Sequence, residues 1–255
     1  MMACVDDVCF TRLGLLSKVA SVFDPQGIAS PLTIKTKIMI RLLDTKGVDH
    51  NEAISPKDRK WWKQWFQTLK ELDNVKLGRC LFPKKDDIAR TELHTFGDAS
   101  KEAYAAIVLY LRQVYRDGAI SVHFVKAATK LAPNRSISIP KMELNAALLA
   151  ARLVRTVQQS LTRKVHQRFI WTDSSTVRNW IPAPDSSYQV FVANRIGEIQ
   201  TLTSQEEWRF VSGKQNLAVA ATRSAFGEEG IPAVWLQGPA FLDNPKTDGR
   251  RTYLG

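Results

Sequence analysis

A mixed α/β sheet covered by helices, preceded by a small mostly helical region, is the fold class this sequence predicts. Three observations carry it. The first 90 residues hold apolar positions at helical spacing, broken by Pro and Gly. From about residue 91, runs of β-branched and aromatic residues take over. Those runs then alternate with helical stripes, which implies a sheet with helices on its faces. The expected organisation is a helical region over 1–90, an α/β domain over 91–227 and a C-terminal tail over 228–255, frayed beyond residue 240.

Residues 12–45 read as helix, turn, helix. Leu15, Leu16, Val19 and Val22 form one stripe, which Pro25 and Gly27 interrupt. Ser30-Pro31 suits a helix start, and Ile34, Ile38 and Leu42 continue at spacing four. A third helix spans 56–72 and carries Trp61, Trp62, Trp65, Phe66 and Leu69. Tryptophans can stack on bases, but a cluster of this kind more often forms core. A linker follows around Leu81 to Asp87. Strands are expected at Leu93–Phe96, Tyr104–Leu111 and, after the Asp117-Gly118 turn, Ile120–Val125. Leu144, Ala147, Leu148, Ala151 and Val154 share one face of a helix over 142–158. A strand over 168–172, a short helix over 174–180, a helix around Val192, Ile196 and Ile199, a strand over 207–211 and a helix from Asn216 complete the order.

The chain has 255 residues and is 44% hydrophobic, enough for a packed core. It carries 36 basic and 25 acidic residues, a net charge of +11 that favours a polyanionic partner such as nucleic acid. No apolar run approaches the ~18 residues of a membrane span. The N-terminus lacks the basic start and apolar stretch of a secretory signal, and the three cysteines lack zinc spacing. Reduced thiols and an intracellular location are the expectation.

Three carboxylates stand at element ends. Asp98 closes a strand-like run in His94-Thr-Phe-Gly-Asp98-Ala-Ser100, Glu143 opens a helix in Pro140-Lys-Met-Glu143, and Asp173 closes a second strand in Phe169-Ile-Trp-Thr-Asp173-Ser-Ser175. Acids so placed can converge, and converging carboxylates require protons or divalent metal. Singly, Asp98 and Asp173 could cap turns or helices, and Glu143 could favour a helix N-terminus.

The element order, with these acids at its ends, resembles the ribonuclease H fold. Leu15-Leu-Ser-Lys-Val-Ala-Ser-Val-Phe-Asp-Pro-Gln-Gly-Ile-Ala-Ser-Pro31, Ile139-Pro-Lys-Met-Glu-Leu144, Val192-Ala-Asn-Arg-Ile-Gly-Glu-Ile199 and Val211-Ser-Gly-Lys-Gln-Asn216 are similar to the Pao/BEL retrotransposon polyprotein. The resemblance covers roughly residues 12–242. It implies a reverse transcriptase thumb or connection region over 1–90 and a ribonuclease H-like domain over 91–227. It also implies hydrolysis of the RNA strand of RNA–DNA hybrids by two Mg2+ or Mn2+ ions, roughly 4 Å apart. Asp98 would bridge both ions, Glu143 would also orient water, and Asp173 would be a third ligand. The implied partners are an RNA–DNA hybrid and the polymerase palm and integrase parts of the polyprotein. The implied location is a cytoplasmic particle or the nucleus. No Tyr-x-Asp-Asp palm motif occurs in this chain.

The departure from the family pattern is Val219. It stands where Ala-Asp-x-Ala-Ser-Arg would place a fourth acid, and valine offers no oxygen to a hard cation. The second ion loses a ligand, so impaired catalysis is expected. Lys126, Lys130, Arg135 and Lys141, with Ser100 and Ser174, are candidate nucleic-acid contacts. Arg152, Arg155, Arg163, Lys164 and Arg168 are further cations, of which Arg152 and Arg155 equally suit a solvated helix face. The competing reading is an inactive retroelement remnant that binds nucleic acid or a partner protein. No Gly-x-Ser-x-Gly elbow occurs, which disfavours an acyl hydrolase. The peptidase label attached to the family is also disfavoured, since Asp173-Ser-Ser and Asp185-Ser-Ser lack the Gly of an aspartic protease turn.

Overall fold

The computed structural model describes residues 9–134, 137–184, 187–222, 231 and 233–244. Three helices come first: α1 (Arg12–Ala20), α2 (Ser30–Thr45) and α3 (Pro56–Lys70). They share a core of Leu15, Val19, Leu43, Ile54, Trp62, Trp65, Phe66 and Leu69. Trp62 is fully buried, and Trp65 Nε1 donates to the Leu32 carbonyl at 3.2 Å. The tryptophan cluster is therefore core, with half-buried Trp61 at its margin.

The sheet comprises β1 (Ile88–Asp98), β2 (Ala103–Tyr115), β3 (Ile120–Leu131), β4 (Gln167–Thr172) and β5 (Trp208–Phe210), in the order β3-β2-β1-β4-β5. The first three strands are antiparallel neighbours, and β4 runs parallel to both β1 and β5. Helix α4 (Ile139–Ser160) connects β3 to β4, followed by α5 (Ser175–Trp180) and α6 (Val190–Leu202). Leu144, Ala147, Leu148, Ala151 and Val154 of α4 pack with Val192, Ile196 and Ile199 of α6 on Leu93, Leu109, Leu111 and Ile170 of the sheet. Each fully buried Leu, Ile or Val contributes about 1.5–3 kcal/mol.

The opposite face presents Phe96, Val108, Tyr110, Phe124, Phe169 and Trp171. The turn before α2, the segment Leu217–Ala221, and the C-terminal α7 (Ala233–Gln237) with its following turn Ala240–Asp243 pack against it. Trp235 joins three parts of the chain. It is fully buried, its carbonyl accepts from Tyr110 Oη at 2.7 Å, and its indole donates to the Ile28 carbonyl at 3.0 Å. Residues 240–244, expected to fray, are held instead. Leu242 is fully buried, and Arg112 donates to the carbonyls of Leu242 (2.6 Å) and Asn244 (2.9 Å). The expectation failed because the segment's anchor is an arginine more than 120 residues away.

The turn Asp24–Ala29 docks the helical region on the sheet. Both Asp24 oxygens accept backbone N–H groups, from Ile28 (2.9 Å) and Ala29 (2.8 Å), where α2 begins. Ala127 N–H of edge strand β3 donates to the Gln26 carbonyl at 2.7 Å. Gly27 has φ +78°, and a Cβ there would lie 2.0 Å from the Ala127 carbonyl oxygen. Glycine is thus required twice, by backbone conformation and by close approach.

Beneath the C-terminal segment lies a fully buried polar group. Arg112 Nη1 donates to Glu92 Oε2 at 2.8 Å, and His94 Nε2 lies 3.0 Å from the same oxygen. Trp171 Nε1 donates to His94 Nδ1 at 3.2 Å, so the imidazole proton belongs on Nε2. Arg90 Nη2 approaches Glu92 Oε1 at 2.6 Å as an ion pair, without the alignment of a hydrogen bond. Burial pushes the Glu92 carboxyl upward, but the His94 hydrogen bond and the two guanidinium charges hold it below its usual value. Burial pushes His94 below its ordinary 6.5 against the pull of Glu92. The pair is accordingly a carboxylate and a neutral imidazole. Among the described residues, no helix is long and apolar enough to cross a membrane.

Two predictions follow from this packing. Gly27→Ala lowers stability by more than about 1 kcal/mol in denaturant unfolding, and an unchanged midpoint contradicts the docking described. Below pH 6.5 the unfolded His94 binds a proton that the folded one refuses, so stability falls on acidification. The slope is at most about 1.4 kcal/mol per pH unit. Urea titrations at pH 7 and pH 5 should show a smaller loss in His94→Gln, whereas an equal loss means that His94 is not held neutral.

Candidate active site

Strand pairing brings two of the three acids together. Gly97 of β1 is in register with Thr172 of β4, so Asp98 and Asp173 follow in step at the same end of neighbouring parallel strands. Adjacent strands lie about 4.8 Å apart, and Asp173 directly follows the last residue of β4. Asp98 is 4% exposed and Asp173 half-buried. Glu143 lies on α4, which crosses both strands. The helix begins at Ile139, after Ser138 and with Pro140 in its first turn, so Glu143 sits one turn inside rather than at its start. The macrodipole fades within the first turn, which weakens the plainer role for Glu143. Asp173 does not supply the α5 cap either: Ser174 is the N-cap, accepting from Val177 N–H at 3.1 Å.

Hydroxyl groups hold two of the carboxylates. Ser174 Oγ donates to Glu143 Oε2 at 2.6 Å, tying the helix acid to the residue after Asp173. Thr222 Oγ1 donates to Asp98 Oδ2. Gly213 leaves space beside the third acid, since a Cβ there would come to 3.3 Å from Asp173 Oδ2. As the side chains stand, no three Asp, Glu, His or Cys among the described residues gather at metal-holding spacing. The donor set is nevertheless all oxygen, as a hard cation requires. In chemistry the three acids suit a divalent ion, while their side chains as they stand do not surround a common point.

Val219 lies in the Leu217–Ala221 turn, half-buried, and its carbonyl accepts from Thr222 N–H at 3.1 Å. Asn216 caps that turn, and its amide donates to the Gly97 carbonyl at 3.1 Å, directly before Asp98. The turn that carries Val219 is thus fastened beside Asp98. Asp185, Glu228 and Glu229 lie outside the described residues.

The candidate nucleic-acid residues divide. Lys126 and Lys130 are exposed on edge strand β3. Lys141 is half-buried, with its ammonium 5.4 Å from the Phe191 ring centroid. Arg135 lies outside the described residues. Ser100 Oγ donates to the Thr222 carbonyl (3.1 Å), while Ser174 serves α5 and Glu143, so both hydroxyls have internal partners. Arg152 forms a two-pronged pair with Glu198 (2.6 and 2.7 Å), and Arg168 binds Glu207 at 2.5 Å. A cleft of about 740 Å3 lies between α1, α2 and β3, and none of the three acids lines it. Sequence reasoning missed Thr222 and Gly213. The only sequence hint to Thr222 is its place three residues after Val219, the repeat of a tight 3-10 turn.

The family model for the Pao retrotransposon-like RNaseH-like domain matches residues 11–174. That span includes the three helices and all three acids but stops before Val219. No curated protein matches the chain. Among solved structures, the chain is similar to LC11-RNase H1, isolated from compost by a metagenomic approach. The identity is 12% and the TM-score 0.34, covering 53% of this chain and 94% of that one. The N-terminal RNase H domain of a Mycobacterium tuberculosis protein is 13% identical with TM-score 0.32, covering 53% and 98%. The foamy viral protease-reverse transcriptase, solved with an RNA/DNA hybrid, is 11% identical with TM-score 0.37, covering 78% and 26%. These likenesses are distant, and the assignment rests on the family model together with the sheet order and the placement of the acids. The chain belongs to the Pao retrotransposon-like RNaseH-like domain family.

Proposed function

We propose that this chain is a metal-dependent endonuclease domain that cuts the RNA strand of RNA–DNA hybrids, with activity weakened by Val219. The observation that carries the reading is the meeting of Asp98 and Asp173 at neighbouring strand ends, with Glu143 linked to Ser174 beside them. Asp98, Glu143 and Asp173 would hold the divalent ion, which when bound supplies Lewis acidity to the scissile phosphate and a more acidic attacking water. The sheet fixes the backbone of Asp98 and of Thr172, next to Asp173, so side-chain rotation rather than backbone movement would bring these carboxylates to an ion. Ser174 and Thr222 hold Glu143 and Asp98 in place. Exposed Lys126 and Lys130 offer charge to the phosphate backbone, in keeping with a net charge of +11.

Val219 supports one further reading, a domain that binds nucleic acid without cutting it. At the fourth position an apolar side chain replaces a ligand, and product release and second-ion binding would suffer most there.

The two readings separate on a labelled RNA–DNA hybrid supplied with Mg2+ or Mn2+. Weak cleavage by the native protein, lost on the order of 100-fold or more in Asp98→Asn and raised about tenfold in Val219→Asp, is the expected pattern. Cleavage by no form, Val219→Asp included, leaves the binding reading alone. Independently, Lys126→Ala with Lys130→Ala should weaken hybrid binding and flatten the log–log salt dependence by about two units. An unchanged salt slope removes β3 from the interface.

A further inference from the structure

We propose that Thr222 is a positioning residue of this site: its hydroxyl helps to fix the orientation of the Asp98 carboxylate, acting from the segment that carries Val219. The proposal rests on reading Asp98 as a metal ligand. Thr222 is 1% exposed and Asp98 4%, so their contact is shielded from water. Thr222 Oγ1 faces two acceptors, Asp98 Oδ2 and the Val219 carbonyl at 3.1 Å. One hydroxyl has one proton. The Val219 carbonyl already accepts from Thr222 N–H, and the carboxylate is the stronger acceptor, so the proton goes to Asp98.

The threonine is itself held. Its carbonyl accepts from Ser100 Oγ at 3.1 Å, and Asn216, at the other end of the turn, binds the Gly97 carbonyl at 3.1 Å. Three contacts, at residues 97, 98 and 100, therefore fasten this turn along the end of β1. Thr222 and Val219 stand three residues apart in a tight turn, where side chains eclipse. The segment has an apolar group at the fourth position but retains a polar grip on the first acid. A carboxylate already oriented in the folded protein loses less freedom when it takes a ligand.

The test uses Thr222→Val, which removes the hydroxyl at nearly constant shape, and Thr222→Ser, which keeps it. A double-mutant cycle with Asp98→Ala, read by denaturant unfolding of the whole chain without metal, should show coupling of about tenfold in the unfolding constant. Additivity within about twofold overturns the contact. Mn2+ titration followed by electron paramagnetic resonance should give affinity about tenfold weaker in Thr222→Val, recovered to within about threefold in Thr222→Ser. Mn2+ binding by the native protein that Thr222→Val leaves unchanged, or tightens, overturns the role given to Thr222 and leaves the metal site standing. No Mn2+ binding by any form overturns the metal site itself.

Discussion

The parallel pairing of β1 with β4 is the constraint on which the rest depends. It sets Gly97 against Thr172 and so carries Asp98 and Asp173 to adjacent strand ends. Parallel neighbours need a crossover, and α4 supplies it, bringing Glu143 across the same two strands. The same pairing fixes which side chains face which layer. Leu93 and Ile170 turn toward α4, while His94, Phe96, Phe169 and Trp171 turn to the other side. A one-residue slip would exchange the two sets and separate the acids.

The second face explains why the helical region and the C-terminal segment belong to one structure. It combines a large aromatic surface with a buried carboxylate, imidazole and guanidinium. Each of those polar groups would be costly without partners. Backbone carbonyls of Leu242 and Asn244 complete the shell of Arg112, and Trp235 links Tyr110 to Ile28 in the turn before α2. The motif Asp24-Pro-Gln-Gly27 is thereby explained as a docking device. Asp24 starts α2, and Gly27 permits contact with β3.

The sequence disclosed elements whose periodicity was local and hid those whose partners were remote. Leu144 through Val154 marked the helix face that packs on the sheet, and Asp98 and Asp173 marked the ends of neighbouring strands. Strand β2 runs past Leu111, where the β-branched and aromatic pattern gives way to Arg112 and Gln113. Both are buried, and Arg112 is satisfied by Glu92 and by carbonyls about 130 residues on, which no local pattern reveals. For the same reason residues 240–244 looked like a frayed end. Around the site the acids were legible as residue types in a given order. The hydroxyls that hold them were not, because serine and threonine near a turn usually serve the backbone.

We propose that Asp98, Glu143 and Asp173 together hold a divalent ion. A crystal of the protein soaked in Mn2+, measured for anomalous scattering, tests it most directly. A peak bounded by oxygens of these three carboxylates, lost in Asp98→Asn, is the result the account predicts. A saturating soak that leaves the three acids without a peak, or a peak held by other residues alone, would contradict it.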